Sequence, residues 1–162
     1  MSQPEGGGEG AERPLVLTVV ELPAQVGRHL GYSGWHEVTQ EQVDQFAEAT
    51  GDHQWIHVDP ERAASGPFGR TIAHGYLTLS LVPALLDEVL RIKDARLIVN
   101  YGLNRVRFPA PVPVGERVRL AVECTSASVF ESGVQVMLLM TFEVTGQTKP
   151  ACIADAVFRF YA

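Results

Sequence analysis

Thr71-Ile72-Ala73-His74-Gly75-Tyr76-Leu77-Thr78-Leu79-Ser80-Leu81-Val82-Pro83-Ala84-Leu85-Leu86-Asp87-Glu88-Val89-Leu90 is the stretch on which the fold turns. Its apolar residues fall all the way round a helical wheel, which predicts a helix enclosed by protein. Pro83 lacks an N–H and must bend that helix or break it. The apolar run over residues 72–92 comes close to membrane-spanning length. It carries His74, Thr78, Ser80, Pro83, Asp87 and Glu88, however, and has no flanking aromatic and basic belts. A buried helix is therefore expected rather than a span.

Downstream, the periodicity changes from helical to alternating. Val118, Leu120, Val122 and Cys124 alternate with Arg117, Arg119, Ala121 and Glu123, and Val134, Val136, Leu138, Met140, Phe142 and Val144 keep one parity. Residues 97–99, 104–108 and 151–161 are also strand-like, the first two interrupted at Gly102. Turns are expected at residues 131–133 and 146–150. One long helix and about five antiparallel strands predict an α+β domain with the sheet wrapped round the helix. Such a sheet has free edges, and pairing them across a two-fold axis would give a homodimer.

Upstream, Thr39-Gln40-Glu41-Gln42 fits a capping box. Val43, Phe46, Ala47 and Thr50 follow the helical stripe, and Gly51 stands where a left-handed cap is wanted. Asp52 and His57 then fall just outside a helix, in a stretch expected to be loop. Residues 59–64 could form a helical turn, residues 35–38 a short strand, and residues 14–26 an edge strand or strap. Residues 1–13 are rich in Gly and Glu and are expected to be a disordered tail, with residues 14–162 as one domain. They resemble neither a signal peptide nor a transit peptide, so a cytoplasmic protein is expected.

Composition narrows the chemistry. The 162 residues carry a formal charge of -6, which argues against a nucleic-acid partner. Cys124 and Cys152 lack CxxC spacing and read as buried reduced thiols. Phosphate-loop, dinucleotide and nucleophile-elbow patterns do not occur.

Spacing alone leaves Asp52 and His57 open between two readings. Either they are a turn-capping carboxylate and a packed histidine, or they are an acid–base pair. Gly75 would open the buried helix, where free N–H groups can stabilise an oxyanion, or it merely packs. His53, His57, Asp59 and His74 raise a metal site, but no rigid element is expected to make them converge, so no metal is assigned. His29 and His36 are given no role. Arg62, Arg70, Arg96, Arg105 and Arg107 are read as solvated charges, one or two of which could meet a phosphate at a pocket mouth.

Residues 46–57, Phe-Ala-Glu-Ala-Thr-Gly-Asp-His-Gln-Trp-Ile-His, resemble the signature of the MaoC-like, (R)-specific enoyl-CoA hydratases. Ile72-Ala73-His74-Gly75-Tyr76-Leu77 is similar to the family's segment at the start of its central helix. Val106-Arg107-Phe108-Pro109-Ala110-Pro111-Val112 is similar to its later strand and proline turn. The resemblance covers about residues 25–160. It implies a hot-dog fold, usually dimeric, and reversible syn hydration of a trans-2-enoyl-CoA to an (R)-3-hydroxyacyl-CoA without metal or redox cofactor. Carried over, Asp52 and His57 are the catalytic pair, and the Gly75 N–H is the oxyanion donor. Gln54, Trp55, His74 and Tyr76 fall at substrate-binding positions. The usual Asn-Pro is replaced by Gln54-Trp55, as in the nodulation-protein-N-like branch. The family's serine that supports the carboxylate falls near Pro83 here, with Ser80 as the nearest serine. A thioester-binding protein with weak or no turnover and a hot-dog thioesterase are the rival readings.

Overall fold

The computed structural model describes residues 13–162. Strand β1 (Leu15–Leu17) pairs in parallel with β4 (Leu90–Ile92), and a 3₁₀ turn (Val19–Gln25) straps the body between β1 and β2 (Arg28–Tyr32). Strand β3 (His36–Glu37) leads into α1 (Gln40–Thr50). Three short helices follow: α2 (Trp55–Val58), α3 (Pro60–Ala64) and α4 (Gly75–Ser80). Helix α5 (Val82–Asp87) completes the helical layer. The sheet is then built from β5 (Leu97–Arg107), β6 (Arg117–Phe130), β7 (Gly133–Val144) and β8 (Cys152–Tyr161). It has six strands in the order β2-β6-β7-β8-β5, with β3 also on β6, and every pairing is antiparallel.

The alternating pattern sets the register. Val118, Leu120 and Val122 on β6 face Val144, Phe142 and Met140 on β7, which in turn face β8. These side chains are fully buried and form the concave face of the sheet. Helices α4 and α5 pack into that concavity, against β8 and β6. Cys124 and Cys152 are buried free thiols. Burial pushes the Cys152 thiol up to about 11, consistent with an unreactive core residue.

The central helix is not one unbroken rod. Of the two outcomes that Pro83 allows it takes the break: α4 ends at Ser80, and α5 begins at Val82 after a tightened turn in which the Leu81 N–H donates to Thr78 O at 3.2 Å. Pro83 has no N–H for the Leu79 carbonyl, so the regular ladder cannot run through this point. Nor is the helix enclosed on all sides. Leu77, Val82, Leu85 and Leu86 face the sheet, while Tyr76, Pro83 and Ala84 are exposed. β5 is a single strand with register shifts on either side of Gly102 and Leu103, rather than two strands. Among the described residues, no helix is long and apolar enough to cross a membrane. The expected disordered tail lies outside the described residues, except for Arg13.

Candidate active site

Helix α1 is delimited by the two signals read from its sequence. The Thr39 hydroxyl accepts the Gln42 N–H at 3.2 Å, and the Gln42 side chain accepts the Thr39 N–H at 3.1 Å. Gly51 takes a left-handed φ of 78°, and its N–H donates to Ala47 O. Asp52 follows directly and is exposed. Its Oδ1 accepts the Gln54 N–H at 3.3 Å, so the carboxylate lies over a local Asx-type turn.

His57 differs from expectation. It sits on the single helical turn α2 rather than on irregular loop, and it is buried. Two hydrogen bonds fix this turn. The Gln40 side chain donates to the His57 carbonyl at 2.8 Å and accepts the Thr71 hydroxyl at 2.6 Å. Residues 71–73 are in turn pinned in extended form. The Ile72 N–H donates to Ile56 O at 3.0 Å, and the Ala73 N–H donates to Val112 O at 2.8 Å. The Ile72 carbonyl is thereby aimed at His57 Nδ1, 2.7 Å away. A carbonyl can only accept, so Nδ1 carries the proton and Nε2 presents a free lone pair. Burial lowers the His57 pKa below its usual 6.5, and the nearby His74 ring lowers it further. The Ile72 bond and the Asp52 charge act in the opposite direction. The neutral base form is favoured.

Asp52, His57 and His74 each place one carboxylate or ring atom within 4.8 Å of the others. The two imidazoles are stacked, with centroids 3.8 Å apart and planes 24° apart. A metal bound by two histidines lies in both ring planes, about 2.0–2.1 Å from each nitrogen. Planes this nearly parallel run side by side and do not meet at that distance. The trio does not have the geometry of a ligand set.

Beside His57 lies a cavity of about 300 Å³, walled mainly by apolar groups that include Phe68, Ile72, Phe108 and Ala151, with Gly75 and Thr78 on its helix side. Gly75 is the first residue of α4, so its N–H has no acceptor within the helix. A Cβ at Gly75 would lie 3.0 Å from the Phe108 ring, so the close approach of that ring requires glycine.

The remaining expected site residues are placed as follows. Gln54 is exposed and opens α2, its carbonyl accepting the His57 N–H. Trp55 lies under the Arg62 guanidinium and against Gly66, where a Cβ would lie 2.9 Å from the ring. Neither lines the cavity. Tyr76 is 71% exposed and meets Phe108 edge-on. His74 is buried away from the cavity lining. His53 is exposed near Glu48, apart from the trio. The Ser80 hydroxyl donates to Tyr76 O rather than to Asp52. Arg70 pairs with Glu116, and Arg96 donates to Ala162 O. Sequence reasoning missed the Ile72 carbonyl, which no side-chain pattern could signal, and Phe108, whose cue was the proline-rich turn that follows it.

The family model described as MaoC like domain matches residues 21–143. The 3-hydroxyacyl-thioester dehydratase Z of Mycobacterium tuberculosis (strain ATCC 25618 / H37Rv) is 53% identical over 146 residues, covering 90% of this chain and 97% of that protein. Nodulation protein N of Rhizobium leguminosarum bv. viciae is 44% identical over 148 residues, covering 86% of this chain and 88% of its own. Among solved structures, the (R)-hydratase of A. caviae superposes with a TM-score of 0.67 at 27% identity, covering 82% of this chain and 94% of that one. An R-hydratase of Pseudomonas aeruginosa in its unliganded form superposes with a TM-score of 0.72 at 22% identity, covering 90% and 86%. The fold they share with this chain is the hot-dog fold.

Proposed function

The chain belongs to the MaoC-like domain family and is an enzyme of the hydro-lyase class, and from that premise we propose that it hydrates trans-2-enoyl thioesters reversibly to (R)-3-hydroxyacyl thioesters. Asp52 and His57 are the acid–base pair in this reading, and the Gly75 N–H is the donor to the thioester oxygen. The observation that carries it is the hydrogen bond at His57: the Ile72 carbonyl holds the proton on Nδ1 and leaves Nε2 as an acceptor, and one ring nitrogen of His57 lies within 4.8 Å of an Asp52 carboxylate oxygen.

Hydration requires three things at one place. A water must lose a proton as it attacks C3, a proton must reach C2, and the enolate-like oxygen must meet a donor. A water bridging His57 Nε2 and the Asp52 carboxylate is oriented by both. As its oxygen bonds to C3, the water gives one proton to His57 Nε2; that proton passes to the Asp52 carboxylate, which delivers it to C2 while the N–H at the start of α4 faces the oxyanion. The apolar cavity excludes bulk water and suits an acyl chain. Tyr76, edge-on to the cavity-lining Phe108, is assigned to the mouth of the substrate cavity, whereas His74 reaches the cavity only through the His57 ring on which it stacks. No metal or redox cofactor enters the scheme. In support, the stacked rings of His57 and His74 do not converge on an ion, and hydration changes no oxidation state overall.

The protein acts as a homodimer in this reading. The exposed apolar residues Leu97, Ile98, Tyr101 and Leu103 on edge strand β5, beside the exposed side of α4 and α5, suit pairing with a second copy. Its compartment is the cytoplasm.

The test is one assay on crotonyl-CoA with two signals. Hydration lowers the absorbance of the conjugated enoyl thioester and releases no thiol. Thioester hydrolysis releases CoA thiol, which a thiol-reactive dye detects, and that result would overturn the proposal. Binding without either signal would favour a non-catalytic thioester-binding role.

A further inference from the structure

We propose that His74 is a positioning residue, whose ring nitrogen holds the Asp52 main chain in place against the imidazole of His57. The inference rests on reading Asp52 and His57 as the acid–base pair.

Asp52 lies on an exposed loop and needs a restraint. Its bonds to its neighbours are long: its N–H meets the Thr50 hydroxyl at 3.4 Å, and its Oδ1 meets the Gln54 N–H at 3.3 Å. Both are local and neither ties the loop to the body of the protein. The bond from a distant element is different. His74 Nε2 donates to the Asp52 carbonyl at 2.9 Å across 22 residues of sequence. The carbonyl can only accept, so the proton is on Nε2.

His74 can serve as a fixed post because it is itself held. It is 3% exposed and caps α4 at its start, and its carbonyl accepts the Thr78 N–H at 3.2 Å. Its neighbour Ala73 is bonded to Val112. The ring packs on Phe46 of α1 at 4.9 Å and stacks on His57 at 3.8 Å. One side chain therefore touches the Asp52 loop, the His57 ring and the helix before the loop.

The remaining nitrogen shows why packing alone does not account for the residue. His74 Nδ1 is buried and has no hydrogen-bond partner among the described residues. An unpartnered buried polar atom is unfavourable, and a phenyl ring of similar shape would avoid it. What imidazole adds over phenyl is the Nε2–H, and that group is spent on Asp52.

Two substitutions separate donor from ring. His74→Gln keeps an N–H at similar reach but loses the aromatic stack. His74→Phe keeps the stack but loses the donor. For hydration of crotonyl-CoA, His74→Phe is expected to lower kcat by about 10- to 100-fold, since misplacing a reacting group by about 1 Å costs on that order. KM should change by less than about 3-fold, because KM reports binding common to ground and transition states. His74→Gln should recover most of the lost kcat. Wild-type kcat in His74→Phe, or an equal fall in both variants, would overturn the proposal. Crystal structures of the two variants add a readout independent of turnover: the Asp52 carbonyl and carboxylate should be displaced from His57 in the Phe variant and in place in the Gln variant. If wild type does not hydrate crotonyl-CoA, the proposed function fails while this comparison still decides the role of His74. If neither variant folds, long-range ¹H–¹⁵N spectra of wild type decide it. An Nε2–H tautomer for His74 is expected, and an Nδ1–H tautomer would refute the clamp.

Discussion

The face between β6 and β7 and the segment from residue 50 to residue 75 are built on opposite principles. The sheet face repeats one rule: an apolar side chain at every second position, opposite another across the strands. Many contacts share the load, and no one hydrogen bond decides the register. The segment carrying Asp52, His57 and Gly75 repeats nothing. Its geometry depends on single bonds from side chains to backbone carbonyls: Gln40 to His57 O, His57 to Ile72 O and His74 to Asp52 O. The sheet should therefore lose stability gradually under substitution and have little direct say in chemistry. The segment should lose chemistry abruptly while the fold persists.

The largest separation is expected at the proposed acid–base pair. Asp52→Asn and His57→Gln should each lower the hydration rate by about 10²- to 10⁴-fold, the usual worth of a positioned proton-transfer group. Asp52 is exposed, so Asp52→Asn should leave the thermal transition near that of wild type. Full activity in either variant would end the functional reading. Phe142→Ala is the counterpart on the sheet. Phe142 is fully buried opposite Leu120 and Cys152, and truncating it should destabilise the fold by about 3–5 kcal/mol. Residual folded protein should keep its pH profile. A selective loss of kcat in a protein of unchanged stability would erase the contrast between the two regions.

Gly75→Ala tests the place where they meet. The added Cβ would push the Phe108 ring from 3.0 Å and disturb the start of α4. A loss of about 100-fold in kcat is expected for displacement of the proposed oxyanion donor. Adding Phe108→Leu should restore part of it, and no restoration would mean that Phe108 is not the obstacle. Thr39→Ala removes the α1 cap and should cost about 1 kcal/mol of stability, measured by denaturant titration, with turnover unchanged.

How legible each region is in the sequence follows from the same contrast. The sheet, the α1 caps, the α3 turn and the buried thiols could be read because each rests on local periodicity or on a residue type with one strong preference. Gly51 is the clearest case, since its left-handed φ is what a glycine after a helical stripe signals. The enclosure of the central helix is not legible in the same way, because burial on one side depends on what else covers it, and a wheel of apolar residues does not say which. The break near Leu81 was implied by Pro83, but its position depends on how the last turn of α4 tightens. At the candidate site, spacing and resemblance single out Asp52, His57 and Gly75 as candidates. The helical turn under His57 and the carbonyl that fixes its tautomer could not. Those depend on residues 71–73 being threaded between residues 56 and 112, a tertiary relation with no local trace.

The smallest expected effect concerns pH and bears on His57 alone. Its pKa is lowered in the folded protein, with burial the largest cause, whereas in the unfolded chain it returns to its ordinary 6.5. Between those two values the unfolded state binds more protons than the folded state, so stability rises with pH across that interval. The contribution is intact above 6.5 and is lost as pH falls through the folded pKa. Turnover should follow a related course. If His57 acts as a neutral base, kcat/KM holds below pH 6.5 and declines only when the folded pKa is reached. His57→Gln removes the titrating group, so its stability should lose this slope, while Phe142→Ala should keep it. Measuring urea stability of all three proteins from pH 7.5 to 5 would check the assignment. An unchanged slope in His57→Gln would show that some other histidine carries the proton uptake, and would remove the support that burial gives to His57 as the base.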